Sequence, residues 1–348
     1  MKKLYPLKFR TAWKPKAWGG ENWDICGFEE EASVVSEGFL AENDLADILE
    51  TYLGELVGDE IFDWYNLHFP LLIKHLDIQD RLSVQVHPDD TVAAERFDDY
   101  GKTEFWYVLE AGPDARVYMG FREDTDAGTL YRACKEGRAE QLLNVYTPRP
   151  GDCFFIPSGT VHAAGGGLKI AEVQEASDMT FRLYDWGREF NPATRREMHL
   201  DEALDCIDYK KYDEAACSCH LDGENPGGAA GSEGEVPVKV LVDAPQFVIT
   251  HLKLEAPARV KLEDFKSCIV YICLWGEATV TTVTTGPDRA SSKAEDGGSW
   301  SLKAGESMLV PASLDEVHLI PAAGGARLLQ VHLPQPPKDD VYDGPEPE

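Results

Sequence analysis

Positive charge is scarce in this chain. Its 33 Lys and Arg face 62 Asp and Glu, a formal net charge of −29 over 348 residues. A nucleic-acid binder needs cations to displace counterions from phosphates, and an anionic membrane leaflet asks the same of what docks on it. Neither nucleic acid nor a membrane is therefore expected as a partner. Long hydrophobic runs are missing too; none approaches the ~20 residues of a spanning helix. The basic start MKKLYPLKFRTAWKPKAW has no apolar stretch behind it and does not read as a secretory signal. All six Asn lack the x-Ser/Thr that glycosylation needs. The eight Cys form no framework and fit reduced thiols in a cytoplasm. Gly165-Gly166-Gly167 matches no nucleotide loop, and no G-x-S-x-G elbow is present.

What is present is apolar content of 43%, enough for a sizeable core, in a length that suggests about two domains. Leu45, Ile48, Leu49, Leu53 and Leu56 repeat at helical spacing and predict a helix over Glu42–Val57, with Asn43 or Asp44 as cap. A second short helix is predicted over Asp201–Tyr209. Most of the rest reads as short strands: Leu82–Val86, Phe105–Leu109, Arg116–Met119, Cys153–Ile156, Phe181–Tyr184, Phe247–Leu252, Ile269–Leu274, Ala278–Thr285 and Leu328–Leu333. Many short strands with Gly, Pro and Asp between them suggest a sandwich or barrel.

An internal repeat divides the chain. PGDCFFIPSG (150–159) aligns with AGESMLVPAS (304–313), and KTEFWYVLEAG (102–112) with KSCIVYICLWG (266–276). Two related β-domains follow, over 1–221 and 237–333. A Gly-, Pro- and Glu-rich linker or loop (222–236) separates them, and a flexible acidic tail (334–348) ends the chain.

The first repeat carries ligand-type residues that the second has lost. Gln85 and His87 stand two apart on a predicted strand and share one face. Glu104 opens the next strand, and His162 follows the Gly151–Pro157 turn. In the second copy Glu104 becomes Cys268 and His162 becomes Glu316. Two His and a carboxylate suit a borderline divalent ion such as zinc, with Gln85 the least usual of the four donors. Any one of these His is also readable as a hydrogen-bonded core residue. Lys74 and Arg182 lie inside apolar runs, and Lys102 sits two before Glu104. An unpaired charge there is costly. Either an anionic ligand such as a phosphate or internal partners such as Glu172 and Asp178 must answer it. Trp18, in WGG, is a candidate pocket rim. Cys217-Ser-Cys219-His220 is a weak metal candidate with no second pair.

Four blocks, LSVQVHPDD (82–90), GKTEFWYVLEA (101–111), RPGDCFFIPSGTVHAAGGG (149–167) and QEASDMTFRLYDWGR (174–188), together resemble type I mannose-6-phosphate isomerase of the shorter bacterial class. KAWGGENW and FPLLIKHLDI resemble it as well, and the similarity runs from about residue 5 to about 333. The resemblance implies a mainly β fold of two cupin (jelly-roll-like) barrels, with a few short helices packed on the first. It implies a cytoplasmic enzyme with one zinc ion per chain that interconverts mannose 6-phosphate and fructose 6-phosphate. The metal set falls on Gln85, His87, Glu104 and His162. The catalytic arginine falls on Arg182 and the active-site lysine on Lys102. Ser83 and Lys74 match the phosphate end, and Glu172 and Asp178 the acidic positions near the sugar. Glu172 or a zinc-bound water is the candidate base for proton transfer through an enediolate. Two barrels that satisfy each other's apolar faces favour a monomer. Two other readings stand beside this one: a different metal-dependent cupin enzyme, such as an oxygenase with a two-His-one-carboxylate iron site, and a non-catalytic sugar-phosphate sensor.

Overall fold

The computed structural model describes residues 2–221, 238–284 and 295–336. The linker expected over 222–236 and residues 337–348 of the acidic tail lie outside the described residues. Among the described residues two compact units emerge, one of residues 9–45 and 70–221, the other of residues 2–8, 46–69, 238–284 and 295–336. Among the described residues no helix is long and apolar enough to cross a membrane.

The first unit is built from strands β1 Ala12–Lys16, β2 Gly19–Ile25, β3 Leu71–Ile78, β4 Val84–Val86, β5 Glu104–Ala111, β6 Arg116–Phe121, β7 Leu143–Tyr146, β8 Asp152–Ile156, β9 His162–Gly165, β10 Leu168–Glu175, β11 Phe181–Tyr184 and β12 Ser218–His220. They form a seven-stranded sheet, β1-β2-β3-β10-β5-β8-β12, and a five-stranded sheet, β11-β4-β9-β6-β7. Alternate residues of a strand share a face, and the shared faces here are apolar. Leu76, Ile78, Trp106, Val108, Phe154 and Ile170 of the larger sheet pack with Val117, Met119 and Ala164 of the smaller in one core. That core is the principal favourable term in holding the sheets together.

The second unit has β13 Val238–Asp243, β14 Val248–Leu254, β15 Ala258–Lys261, β16 Ile269–Thr284, β17 Glu295–Lys303, β18 Ser307–Val310 and β19 Glu316–His332. Their order is β13-β14-β19-β16-β17, with β15 on β19 and β18 on β16. The two strands expected over 269–285 are one. Register shifts at Cys273/Trp275 and Gly276/Ala278 let β16 bend without ending. Gly276 makes the bend possible: its φ is +76° and a Cβ there would lie 2.3 Å from the Gly325 carbonyl oxygen.

The helix expected over Glu42–Val57 is broken into Leu45–Tyr52, Gly54–Val57 and Asp59–Tyr65. Leu53 at φ +51° and Gly58 at φ +106° interrupt it. The expected apolar face is still buried at Leu45, Ile48, Leu49 and Leu56. Residues 46–69 belong to the second unit, where Cys268 N donates to Val57 O and Ala312 N to Leu56 O, both at 2.9 Å. The short helices Asp90–Phe97, Ala127–Lys135 and Leu200–Cys206 belong to the first unit.

The repeat is visible in strand pairing, with an offset. In the first unit β5 pairs β8 with Glu104 opposite Ile156 and Trp106 opposite Phe154. In the second β16 pairs β18 with Ile269 opposite Val310 and Tyr271 opposite Met308. The pairing counterpart of Glu104 is therefore Ile269, not Cys268 as the aligned letters suggest. A one-residue shift exchanges faces. Here it places the apolar Ile269, inside the second core, where the first unit holds a carboxylate.

Candidate active site

Rows of side chains across the larger sheet change from apolar to polar along the strands. Leu76, Ile170 and Val108 stand side by side. Two residues along each strand, Lys74, Glu172 and Trp106 do. Two further along β10 and β5, Gln174 pairs Glu104. The smaller sheet supplies Arg182 opposite Gln85, and Gln85 opposite His162. The polar ends of both sheets thus meet above a continuous apolar floor. The cleft between them is lined by Trp18, Lys74, Gln85, Lys102, Glu104, Trp106, Glu172, Asp178 and Arg182, together with Lys16, Glu21 and Arg196.

At its base Glu104 Oε1 lies 3.3 Å from His87 Nε2, and its Oε2 lies 3.5 Å from His162 Nε2. All three residues are buried, and their ligand atoms lie within 4.8 Å of one another. His87 Nδ1 faces the Met179 carbonyl at 2.8 Å and His162 Nδ1 the Thr160 carbonyl at 2.9 Å. A carbonyl only accepts, so both Nδ1 atoms carry hydrogens and both Nε2 lone pairs point inward. His87 Nε2 and Glu104 Oε2 have no hydrogen-bond partner although buried. Two inward imidazole lone pairs and a carboxylate with an orphaned oxygen fit a divalent cation. Burial pulls His87 below the ordinary histidine range and His162 down to about 4. Burial alone would raise Glu104; the charge of Lys102, 3.6 Å away, works against it and favours the ionised carboxylate. Gln85 turns its amide nitrogen to His162 Nε2 at 3.3 Å. A rotation of that amide presents its oxygen as a fourth donor.

Beside this triad, Trp106 Nε1 donates to Glu172 Oε1 at 2.7 Å. Burial, reinforced by the charge of Glu104, pushes the Glu172 carboxyl up to about 7 against the pull of Lys74. Lys74 Nζ stands 3.7 Å from Glu172 Oε2, 3.7 Å from Asp178 Oδ1 and 3.9 Å from Glu21 Oε2. Burial alone would lower this ammonium; the three carboxylates hold it above the ordinary lysine range. Lys102 Nζ lies 3.6 Å from Glu104 Oε1 and 3.9 Å from Asp178 Oδ1.

Eight of the residues singled out in the sequence line the cleft directly and two more, His87 and His162, form its base; Glu172 and Asp178 are indeed the internal partners of Lys74. Ser83 stands behind it: buried, it donates through Oγ to Gln85 Oε1 at 3.0 Å and braces that side chain. Trp18 lines the cleft and is 5% exposed, part of the core as well as the rim. Cys217, Cys219 and His220 do not form a three-ligand cluster; among the described residues only His87, Glu104 and His162 do. His220 pairs with Asp152 instead, at 2.6 Å.

Sequence reasoning missed Arg196. Its guanidinium lines the cleft and is clamped on the buried Asp185, Nε to Oδ2 at 3.0 Å and Nη2 to Oδ1 at 2.6 Å. Arg182 makes no ion pair among the described residues, donates to the Glu197 carbonyl at 3.2 Å, and keeps a buried Nε without a partner. Burial and the neighbouring Arg196 both pull Arg182 below the ordinary arginine range. Every lysine of the cleft is matched by cleft carboxylates and Arg196 by Asp185, so Arg182, which makes no ion pair among the described residues, is where an anion gains most.

A family profile described as phosphomannose isomerase type I, catalytic domain, matches residues 8–106. A mannose-6-phosphate isomerase of Bacillus subtilis is 34% identical over 60% of this chain and 70% of its own. One from Streptococcus mutans is 32% identical over 77% of this chain and 78% of its own. Among solved structures, a mannose 6-phosphate isomerase from Bacillus subtilis superposes with a TM-score of 0.75 at 24% identity, covering 95% of this chain and 100% of that one.

Proposed function

This chain belongs to the type I mannose-6-phosphate isomerase family, and we propose that it interconverts D-mannose 6-phosphate and D-fructose 6-phosphate with one zinc ion held by His87, Glu104, His162 and Gln85. The observation that carries this reading is the buried convergence of two inward imidazole lone pairs on Glu104 beside a carboxyl, Glu172, poised near neutrality. When bound, the ion supplies Lewis acidity toward the oxygens on C1 and C2.

The chain's own residues do the rest. Moving a carbonyl between C1 and C2 requires a proton to leave the carbon beside it and return to its neighbour. Glu172 Oε2 is the group for that shuttle. Its other oxygen is fixed by Trp106, and a base with a pKa near the working pH is the most effective. Arg182 stabilises the charge that develops on the enediolate oxygens. Lys102 and Lys74 hold Asp178 and Glu172 in place, and Asp178, the exposed member, meets the sugar hydroxyls. Arg196 takes the phosphate, whose binding energy orients the reacting carbons from a distance. Ser83 acts through Gln85, and Trp18 walls the cleft. The enzyme so described works as a cytoplasmic monomer.

The test is direct. Purified protein is mixed with mannose 6-phosphate, and fructose 6-phosphate is followed before and after a chelator strips the metal. Turnover lost with the metal and restored by zinc supports the reading. Turnover that survives verified removal of the metal overturns the metal assignment. Inactive metal-replete protein overturns the isomerase. Oxygen uptake or tight sugar-phosphate binding without turnover would then turn to the oxygenase or sensor readings.

A further inference from the structure

The segment that delivers Lys102 and Glu104 to the cleft is irregular backbone between the helix Asp90–Phe97 and β5. Irregular backbone places a side chain well only when its polar groups are tied down. Three bonds do so here. Gly101 N donates to Asp90 Oδ1 at 2.9 Å, Lys102 N to Pro88 O at 3.1 Å, and Thr103 N to Glu175 Oε2 at 2.6 Å. Gly101 lies so close to the helix start that a Cβ on it would stand 2.6 Å from Asp90 N.

Glu175 ends β10 and is buried, on the face opposite Glu172 and Gln174, and it does not line the cleft. Its backbone N donates to Thr103 O at 3.1 Å, so side chain and main chain grip the same residue. Its carboxyl also meets that of Asp90. Two facing carboxyl groups are stable in such a place only when one keeps its proton. Burial, then the charge of Asp90, push Glu175 above the ordinary carboxylate range and favour its protonated form. A neutral Glu175 donates to Asp90 through its O–H and accepts from Thr103 N through its other oxygen.

We propose that Glu175 is a positioning residue: bridging Thr103 N and Asp90, it is the strut that fixes the Gly101–Thr103 segment and with it the placement of Lys102 and Glu104. The consequence for metal and turnover rests on the reading of Glu104 as a ligand. The strut itself does not.

Three variants of the full-length protein test it. Glu175→Ala removes both bonds. Glu175→Gln keeps them, its NH₂ donating to Asp90 and its oxygen accepting from Thr103 N. Asp90→Ala removes an exposed side chain at the far end of the strut and guards against a Glu175→Ala protein that does not fold. Amide hydrogen exchange of a peptide spanning 101–104, chelator competition with Zn(II) alone, and steady-state kinetics are the readouts. Glu175→Ala is expected to speed exchange across 101–104, weaken zinc about tenfold, as loss of an outer-shell partner does, and lower kcat more than it raises KM. Glu175→Gln restores all three to within about twofold, and Asp90→Ala falls between. Unchanged exchange of the Thr103 amide in both alanine variants, whatever the Gly101 amide does once Asp90 no longer accepts from it, or a folded Glu175→Gln protein as impaired as Glu175→Ala, overturns the strut. Wild-type protein that takes up no zinc sinks the metal reading, and exchange then decides the strut alone.

Discussion

Trp106 and Glu172 stand directly opposite each other on neighbouring strands, and the indole N–H of one donates to the carboxyl of the other at 2.7 Å. A bond fixed by sheet register leaves Glu172 little freedom to turn away from the cleft. Replacement of Glu172 by Gln keeps the shape and the acceptor for Trp106 but removes the base. We expect kcat to fall about 10²–10⁴-fold, with zinc content and melting temperature near wild type. Full turnover in a zinc-loaded Glu172→Gln protein would remove Glu172 from the role.

The same carboxyl sets a pH dependence. A base works only when ionised, so activity falls as pH drops through its pKa. Burial and the charge of Glu104 hold that pKa at about 7. A cation on the triad offsets part of the charge of Glu104, so the acid limb of the loaded enzyme lies at or below about pH 7. The residual activity of Glu172→Gln should lack this limb, and a limb that persists there belongs to another group.

Removal of a ligand should cost more than activity. His87→Ala and His162→Ala each leave two donors of the triad, too few for a firmly held divalent ion. Zinc measured after dialysis should fall well below one per chain, and affinity by more than the about 10–100-fold that loss of an outer-shell partner costs. Stoichiometric zinc in both variants would move the metal elsewhere.

Arg196 is predicted to serve binding and not chemistry. Asp185 is also held by Arg188 at 2.7 Å, so Arg196→Gln does not leave a buried carboxylate alone, and melting should change little. A charge-assisted hydrogen bond is worth about 1.5–3 kcal/mol, so KM for mannose 6-phosphate should rise about 10–100-fold with kcat within a few-fold. Inorganic phosphate should inhibit the variant correspondingly less. An unchanged KM would return the phosphate to the Lys74 end.

Much of this site was legible in residue order alone, for a physical reason. Gln85 lies on β4 and His87 just past its end, two residues apart, and Glu104 and His162 sit at the starts of strands bracketed by glycine and proline turns. Period and punctuation therefore fix which face each enters. What escaped did so because it depends on pairing. β3 and β10 were not expected as strands, since Lys74 and His75 interrupt the one apolar run and Lys169, Glu172 and Gln174 the other; yet pairing aligns Lys74 with Glu172. Arg196 lies in the charged run TRREMH, where nothing local separates it from Arg195, and only the buried Asp185 selects it. The counterpart of Glu104 was misplaced by one residue because aligned letters carry no register, whereas the pairing of Ile269 with Val310 does.

Lys74 joins stability to catalysis, and a single variant separates the two. Its ammonium is buried among Glu21, Glu172 and Asp178. Removal of one member of a buried ion cluster costs about 3–5 kcal/mol when its partners are left bare. Here they are not wholly bare: Lys16 stays 2.7 Å from Glu21, Lys102 stays near Asp178, and Glu172 can take up a proton. Lys74→Met, which keeps the apolar stem, should therefore fall at the low end, a melting decrease on the order of 5 °C. Lys74 opposes the upward push on Glu172. Without it that pKa rises, and the acid limb of the pH–rate profile should move to higher pH while the phosphate-dependent part of KM, carried by Arg196, stays put. A limb that does not move would mean that Lys74 and Glu172 are not coupled in the working enzyme, and KM rising as much as in Arg196→Gln would mean that Lys74 contacts the phosphate after all.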